Sequence, residues 1–323
     1  ETEDDFDDLA GFFAGVIEYV LSREEIDTAT DILLKLNHLK DAKGISEEIR
    51  NCSKNILVNI STEKIINLLG SVLEGSRKIK DKKIGDFVKC LDVQAIPPLI
   101  MILGELKKIH SRKLIIEALV ILGKKDMASL AERLNDSRWY VVRNIIYVLR
   151  KIGDRKAVDY LLKTVKHGDA RVKKEVIRAF GELGGAGVLQ VLRNCLDDPD
   201  FQIESAALTE FGNIGSDAAK RIILSRIAGT DFGARDFKEK KKYFEVISKW
   251  KDKEIRDFMA DIIGKKTFFD RTRNYENRAC AAYCLGLIGN KESLPLLNRY
   301  RNDSNKLFNE FVTEAIRQID NGK

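Results

Sequence analysis

Glycine recurs at one point of a repeated helical phrase: Gly123, Gly153, Gly184, Gly215 and Gly289. The first three steps are 30, 31 and 31 residues, and the last, 74, leaves room for two longer units. A period near 31 with helical content in every unit predicts stacked helix pairs, because one pair alone cannot bury its apolar face. Three phrases align on their glycines: VVRNIIYVLRKIG (141–153), VKKEVIRAFGELG (172–184) and IESAALTEFGNIG (203–215). Counting back from the glycine, position −1 holds Ile152, Leu183 and Ile214, and −4 holds Leu149, Phe180 and Phe211. Position −8 holds Ile145, Val176 and Ala207, and −12 holds Val141, Val172 and Ile203. These offsets trace one stripe of a helix with about 3.6 residues per turn. Position −3 is Gly181 and Gly212 in two phrases, small enough for a neighbouring helix to come close. The glycine at zero suits a helix end, where a left-handed residue is needed.

A second helix follows each glycine. Val158, Leu161 and Val165 stand at +5, +8 and +12, and Leu189, Leu192 and Leu196 at the same offsets one unit later. An acidic turn then opens the next unit, at Asp136, at Asp169 and at Asp197-Asp198-Pro199-Asp200. Asp and Pro belong at helix N-termini. The unit is therefore helix A, glycine turn, helix B, acidic turn.

These residues resemble HEAT repeats of the short bacterial kind named after phycobilisome-lyase-like proteins, which read roughly V-R-x-x-A-A-x-A-L-G-x-I-G-D-x-x-A-V. The phrase NRACAAYCLGLIGNKESLPLL (277–297) fits, with Arg278 at the arginine and Leu285, Gly286, Ile288 and Gly289 at the core of the pattern. Lys173 and Glu204 take the arginine position in two other units. The resemblance runs over 111–303, weakens over 91–110 and fades before that. It implies an all-α fold, an α-solenoid in the form of a right-handed superhelix of HEAT-like pairs. The array is expected over 84–323, behind a helical segment over 1–83 that reads either as degenerate pairs or as a small separate helical domain. The resemblance implies no single function, since the family covers lyases, scaffolds and DNA-binding enzymes.

The chemistry-bearing residues point away from catalysis. The three histidines, His38, His110 and His167, lie 72 and 57 residues apart and form no zinc pattern. The His-Glu pairs that HEAT-repeat iron hydroxylases need are missing. GELGGAGV (181–188) is glycine-rich but lacks the Lys-Ser/Thr of a phosphate loop. HEAT-like DNA glycosylases use a concave Asp beside aromatics, whereas Asp136, Trp139 and Tyr140 fall in a turn and an A helix. Five cysteines are scattered, and Cys280 and Cys284 read as small apolar core residues. No apolar run approaches the roughly 18–20 residues of a membrane span. The chain opens on Glu1 without a signal-peptide pattern, which reads as an excised or processed chain, reduced and cytoplasmic. No catalytic, cofactor-binding or metal-binding residue is expected, and the chain reads as no enzyme.

Binding features are easier to find. Lys251 stands where a glycine is expected, with Trp250, Ile247, Phe244 and Tyr243 completing the stripe. The steps around it, 36 and 38, place two longer stretches at successive helix B to helix A turns, 229–241 and 265–277. They hold Phe232, Arg235, Phe237, Phe268, Phe269, Arg271, Arg273 and Tyr275. Aromatic and arginine side chains are the usual anchors of protein interfaces, although the same aromatics can fold back and plug the edge of the stack. A row at +10, Arg133, Lys163, Asn194, Ser225 and Arg299, with Arg226 at +11, reads as a polar groove for an acidic peptide or a phosphate backbone, or as an ordinary solvated face. Arg138, Trp139, Tyr140 and Arg143 either stack on bases or pack an A helix. The net charge of +6 is mild, but 238–253 carries seven lysines against three acids. The expected function is a non-catalytic protein-protein interaction scaffold, the binding part of a larger bacterial signalling or assembly protein, whose partner is another protein or peptide. The alternative is nucleic-acid binding through the basic surfaces, and a lyase or DNA glycosylase comes third.

Overall fold

In a computed structural model, residues 3–75, 81–265, 267 and 270–322 are described, with side chains from Asp8 onward. Among them every regular element is a helix, and the chain divides between Ala179 and Phe180 into two compact units. No single described helix is long and apolar enough to cross a membrane.

The first unit holds α1 (Glu3–Ser22), α2 (Ile26–Asp41), α3 (Glu47–Ile60), α4 (Glu63–Glu74), α5 (Asp81–Cys90), α6 (Ile96–Glu105), α7 (Ile109–Gly123), α8 (Met127–Ala131), α9 (Trp139–Ile152), α10 (Ala157–Thr164) and the first part of α11 (Ala170–Leu183). Helices α2, α5, α7 and α9 pack in succession as one row, while α4, α6 and α8 form the other. The N-terminal helices thus continue the two rows, α5 lying on α2 and α6 on α4. The division expected at 83/84 is not where the compact units part. Helix α5 begins at Asp81, and residues 76–80 lie outside the described residues.

The second unit takes the end of α11 and then α12 (Val188–Cys195), α13 (Phe201–Ile214), α14 (Asp217–Ile227), α15 (Phe237–Ile247), α16 (Lys253–Gly264), α17 (Arg271–Ile288), α18 (Leu294–Asn298) and α19 (Lys306–Asp320). Helices α13, α15, α17 and α19 form its A row, and α14, α16 and α18 pack beside them. Short polar side chains start these helices. Asp200, Ser216, Asp252 and Asn305 accept the N–H groups of Gln202, Ala219, Ile255 and Phe308.

The repeated glycine has two distinct physical roles. Gly153, Gly184, Gly215 and Gly289 sit at φ of 77°, 64°, 63° and 73°, closing their A helices in the left-handed region. Gly123 is instead the last residue of α7 and carries no positive φ. A Cβ there would collide with Leu130 and approach Ile152 Cδ1 to 2.8 Å, so a side chain here would displace its packed neighbours. Close approach also explains position −3, since a Cβ at Gly212 would come within 2.9 Å of Val246 Cγ1. The stripe itself is core: Leu149, Phe180 and Phe211 are fully buried, as are Val172 and Ala207.

Candidate functional site

The inserted stretches are largely structure. Residues 230–234 form a 3-10 turn that tucks Phe232 into the core, 4% exposed, with its ring 5.2 Å from Tyr243. Phe237 opens α15 and meets Phe311 edge-on at 5.6 Å. Arg271, Arg273 and Tyr275 lie on the first turns of α17, which runs further back than a loop reading allows. Arg273 pairs with Asp270 at 2.8 Å, and Tyr275 packs on Phe308. Arg271 is exposed and, with Tyr275 and Arg278, borders a cleft of about 440 Å³. Phe268 and Phe269 lie outside the described residues. Phe232 thus follows the fold-back alternative, while Phe237 and Tyr275 are half-buried against Phe311 and Phe308.

The insertions also neutralise charge. Eleven residues before each repeat end stand Glu204, Lys240 and Arg278 in α13, α15 and α17, all buried. Each reaches into the following repeat. Glu204 takes the Arg235 guanidinium at 2.8 Å and the Tyr243 hydroxyl. Lys240 donates to Glu276 at 2.6 Å. Arg278 donates through Nε to the Ile263 carbonyl at 2.8 Å, faces Asp303 at 3.6 Å and is ringed by Tyr275, Tyr300 and Phe308. Burial and the adjoining Glu204 carboxylate push the Tyr243 phenol up. Arg235 and Glu276, the counter-charges, belong to the first and second insertions. A charge buried without its partner is strongly destabilising, and this is why the insertions carry ionic as well as aromatic residues.

The other sequence candidates divide. Lys163 and Asn194 are exposed on α10 and α12, Arg133 and Arg299 are exposed just past the ends of α8 and α18, and Asn194 is bonded to Gln190. Arg226 is tied to Asp197. The lysine run is mostly committed: Lys240 is buried, Lys241 lies 4.5 Å over the Tyr283 ring, Lys242 pairs with Glu245 and Lys249 with Asn213. Trp139 is a packing residue, covered by the Arg171 guanidinium at 3.4 Å. Arg138 clamps Asp136 at 2.7 Å and holds its carboxyl down at about 2. All five cysteines are buried, and burial pushes the Cys280 thiol up to about 12. Among the described residues no group of three or more His, Cys, Asp or Glu could hold a metal ion.

A different surface remains open, across the A helices of the first unit. Helices α7 and α9 bound a groove of about 820 Å³. Its floor is apolar, made by Ile116, Val120 and Ile121 of α7 and the half-buried ring of Tyr147 in α9. Its rim holds Arg112, Lys113, Arg143 and Lys151 against one acid, Glu117. Lys113 lies 4.0 Å from Glu117, so that pair is spent internally. Arg112 and Lys151 have no ion pair among the described residues. Arg143 shares the buried carboxylate of Glu175, at 4.0 Å, with Arg150 at 3.1 Å and Arg178 at 3.8 Å. At the head of α7, Ile109 is 85% exposed.

Arg112 gives the groove its meaning. It stands eleven residues before Gly123, the same register as Glu204, Lys240 and Arg278. Those three find an opposite charge in the next repeat, whereas α9 offers Arg112 the like charge of Arg143 and the amide of Asn144. The groove escaped the sequence reading because the three aligned phrases end at Gly153, Gly184 and Gly215. The phrase ending at Gly123, IHSRKLIIEALVILG, carries more apolar residues than one buried stripe uses, and that excess was the available signal.

Residues 127–212 match the family model for HEAT repeats. No curated protein matches the chain in sequence. Human deoxyhypusine hydroxylase in complex with glycerol aligns over 93% of this chain and 99% of its own, at 13% identity and a TM-score of 0.33. The complex of CpcE and CpcF of phycocyanin lyase from Nostoc sp. PCC7120 aligns over 86% and 96%, at 14% identity and 0.34. Importin beta aligns over 92% of this chain and 45% of its own, at 12% identity and 0.40.

Proposed function

We propose that this HEAT-repeat protein is a non-catalytic binding scaffold and that the α7–α9 groove receives an acidic, amphipathic segment of a protein partner. The observation that carries the reading is Arg112: the register position neutralised within the fold by later repeats stands here in an open groove without a counter-charge. An apolar floor with a charged rim suits a helix whose apolar residues recur at i, i+3, i+4 and i+7. From Ile109 to Ile121 the groove follows twelve residue steps of α7, or roughly 18 Å at about 1.5 Å per residue, which accommodates about three turns of a bound helix. A phosphate backbone would use the rim and leave the apolar floor empty.

A designed three-turn helix with leucines on one face and glutamates on the other tests this by fluorescence polarisation. Saturable binding is expected, weakened at least about tenfold (about 1.4 kcal/mol) by Arg112→Glu with Arg143→Glu. The same helix with lysines replacing the glutamates should not bind. If the acidic helix fails to bind, or if only an oligonucleotide binds with a steep salt dependence, the proposal is lost.

A further inference from the structure

The first unit carries a second unpartnered surface whose chemistry is the reverse of the groove. Helix α1 buries Ala10, Ile17 and Leu21, 1%, 0% and 1% exposed, against the helices beneath it, chiefly α3 and α4. Its other side carries Leu9, Phe12, Val16 and Tyr19, spaced by 3, 4 and 3 residues, which is again one helical stripe. Phe12 is 64% exposed, Tyr19 62% and Leu9 40%. The α1 sequence has six acids, Glu3, Asp4, Asp5, Asp7, Asp8 and Glu18, and no lysine or arginine. Glu18 is engaged on the body of the unit, by Lys64. Large apolar residues set side by side in water mark an interaction surface.

We infer that α1 of one copy docks in the α7–α9 groove of a second copy, an inference that rests on the groove reading above. Three features match. The stripe is apolar and so is the groove floor. The strongly acidic α1 meets a rim of four cations and one acid. The stripe from Leu9 to Tyr19 spans ten residue steps, about 15 Å, within the roughly 18 Å of the groove. The docked α1 keeps its own inner contacts, because the stripe and the buried face are different sides of the helix. Donor and acceptor are different patches of one unit, so the contact is heterologous. An assembly of two copies then retains one free α1 and one free groove, and further copies add head to tail.

Complementation between two defective variants of the full chain tests this. Phe12→Asp disables the donor and keeps the groove. Arg112→Glu with Arg143→Glu disables the groove and keeps the donor. Light scattering on a sizing column should show wild-type mass rising with concentration and each variant monomeric. An equimolar mixture of the two variants should give a one-to-one dimer and nothing larger. Circular dichroism and melting curves establish that both variants are folded. A monomeric wild type at every concentration overturns the inference, as does self-association that both variants retain. If the designed acidic helix binds while the wild type stays monomeric, self-docking fails and the groove reading stands. If the designed helix does not bind, the groove reading falls and this inference with it.

Discussion

Glu204 shows how a residue that departs from the repeat pattern can still serve it. The family places an arginine there, and α17 keeps one as Arg278. In α13 the sign is reversed, and the following turn supplies Arg235 in answer, with the buried Tyr243 hydroxyl completing the site. Truncating Glu204 to alanine strands a 23%-exposed guanidinium and a fully buried phenol. A cost of about 3–5 kcal/mol is expected, read by urea denaturation. Removing Arg235 as well should cost much less than the sum of the two single changes, because the second loses a partner already gone. Additive costs would show that the two side chains do not act on each other. In the sequence Glu204 looked like a loose match, because the pattern fixes a register but not which sign stands in it.

The turns between elements carry their own electrostatics. Asp136 and Asp169 each precede an A helix, accept the backbone N–H two residues on, and pair with Arg138 and Arg171 at 2.7 Å. Those hydrogen bonds favour the charged form and hold both carboxyls at about 2, below the ordinary 3.8. A folded-state pKa below the unfolded one contributes stability that is present above about pH 4 and lost as pH falls toward about 2. Stability measured by denaturant between pH 7 and 2 should therefore fall through that window. In the chain with Asp136→Asn and Asp169→Asn the starting value should be lower and the slope between pH 4 and 2 shallower. An unchanged slope would sink this assignment. At the same scale, the acidic turns, glycine ends and helix B stripes were legible in sequence because each follows from local backbone and burial rules. The extent of α17 was not. Its first turns, RTRNYEN, are polar and lack the A stripe, and they are helical because Tyr275 and Glu276 find partners on α19 and α15.

For the molecule as a whole, periodicity revealed the fold and concealed the site. Residues that recur identify a stack, so the alignment on Gly153, Gly184 and Gly215 found the core. The groove lies where recurrence fails: Arg112 shares it with Arg143 where another repeat would offer an acid, and the half-buried Ile116, Val120 and Ile121 line it. The insertions drew notice as exposed aromatics, but Phe232 meets Tyr243 on the next helix, and the partners of Phe237 and Tyr275, Phe311 and Phe308, lie on α19, distant in sequence. The buried charges of the second unit also make its repeats non-interchangeable. Read in order they are minus, plus, plus, answered by plus, minus, minus. Lys240→Glu would set two acids against each other in one buried slot, with Glu276, and should cost most of the unit's stability in urea, whereas adding Glu276→Lys restores an opposite pair and should recover much of the loss. Equal loss in the single and double variants would refute the idea. The repeats therefore behave like keyed connectors: each carries the address of its successor, and the order of the stack is written in charge as well as in the peptide bond.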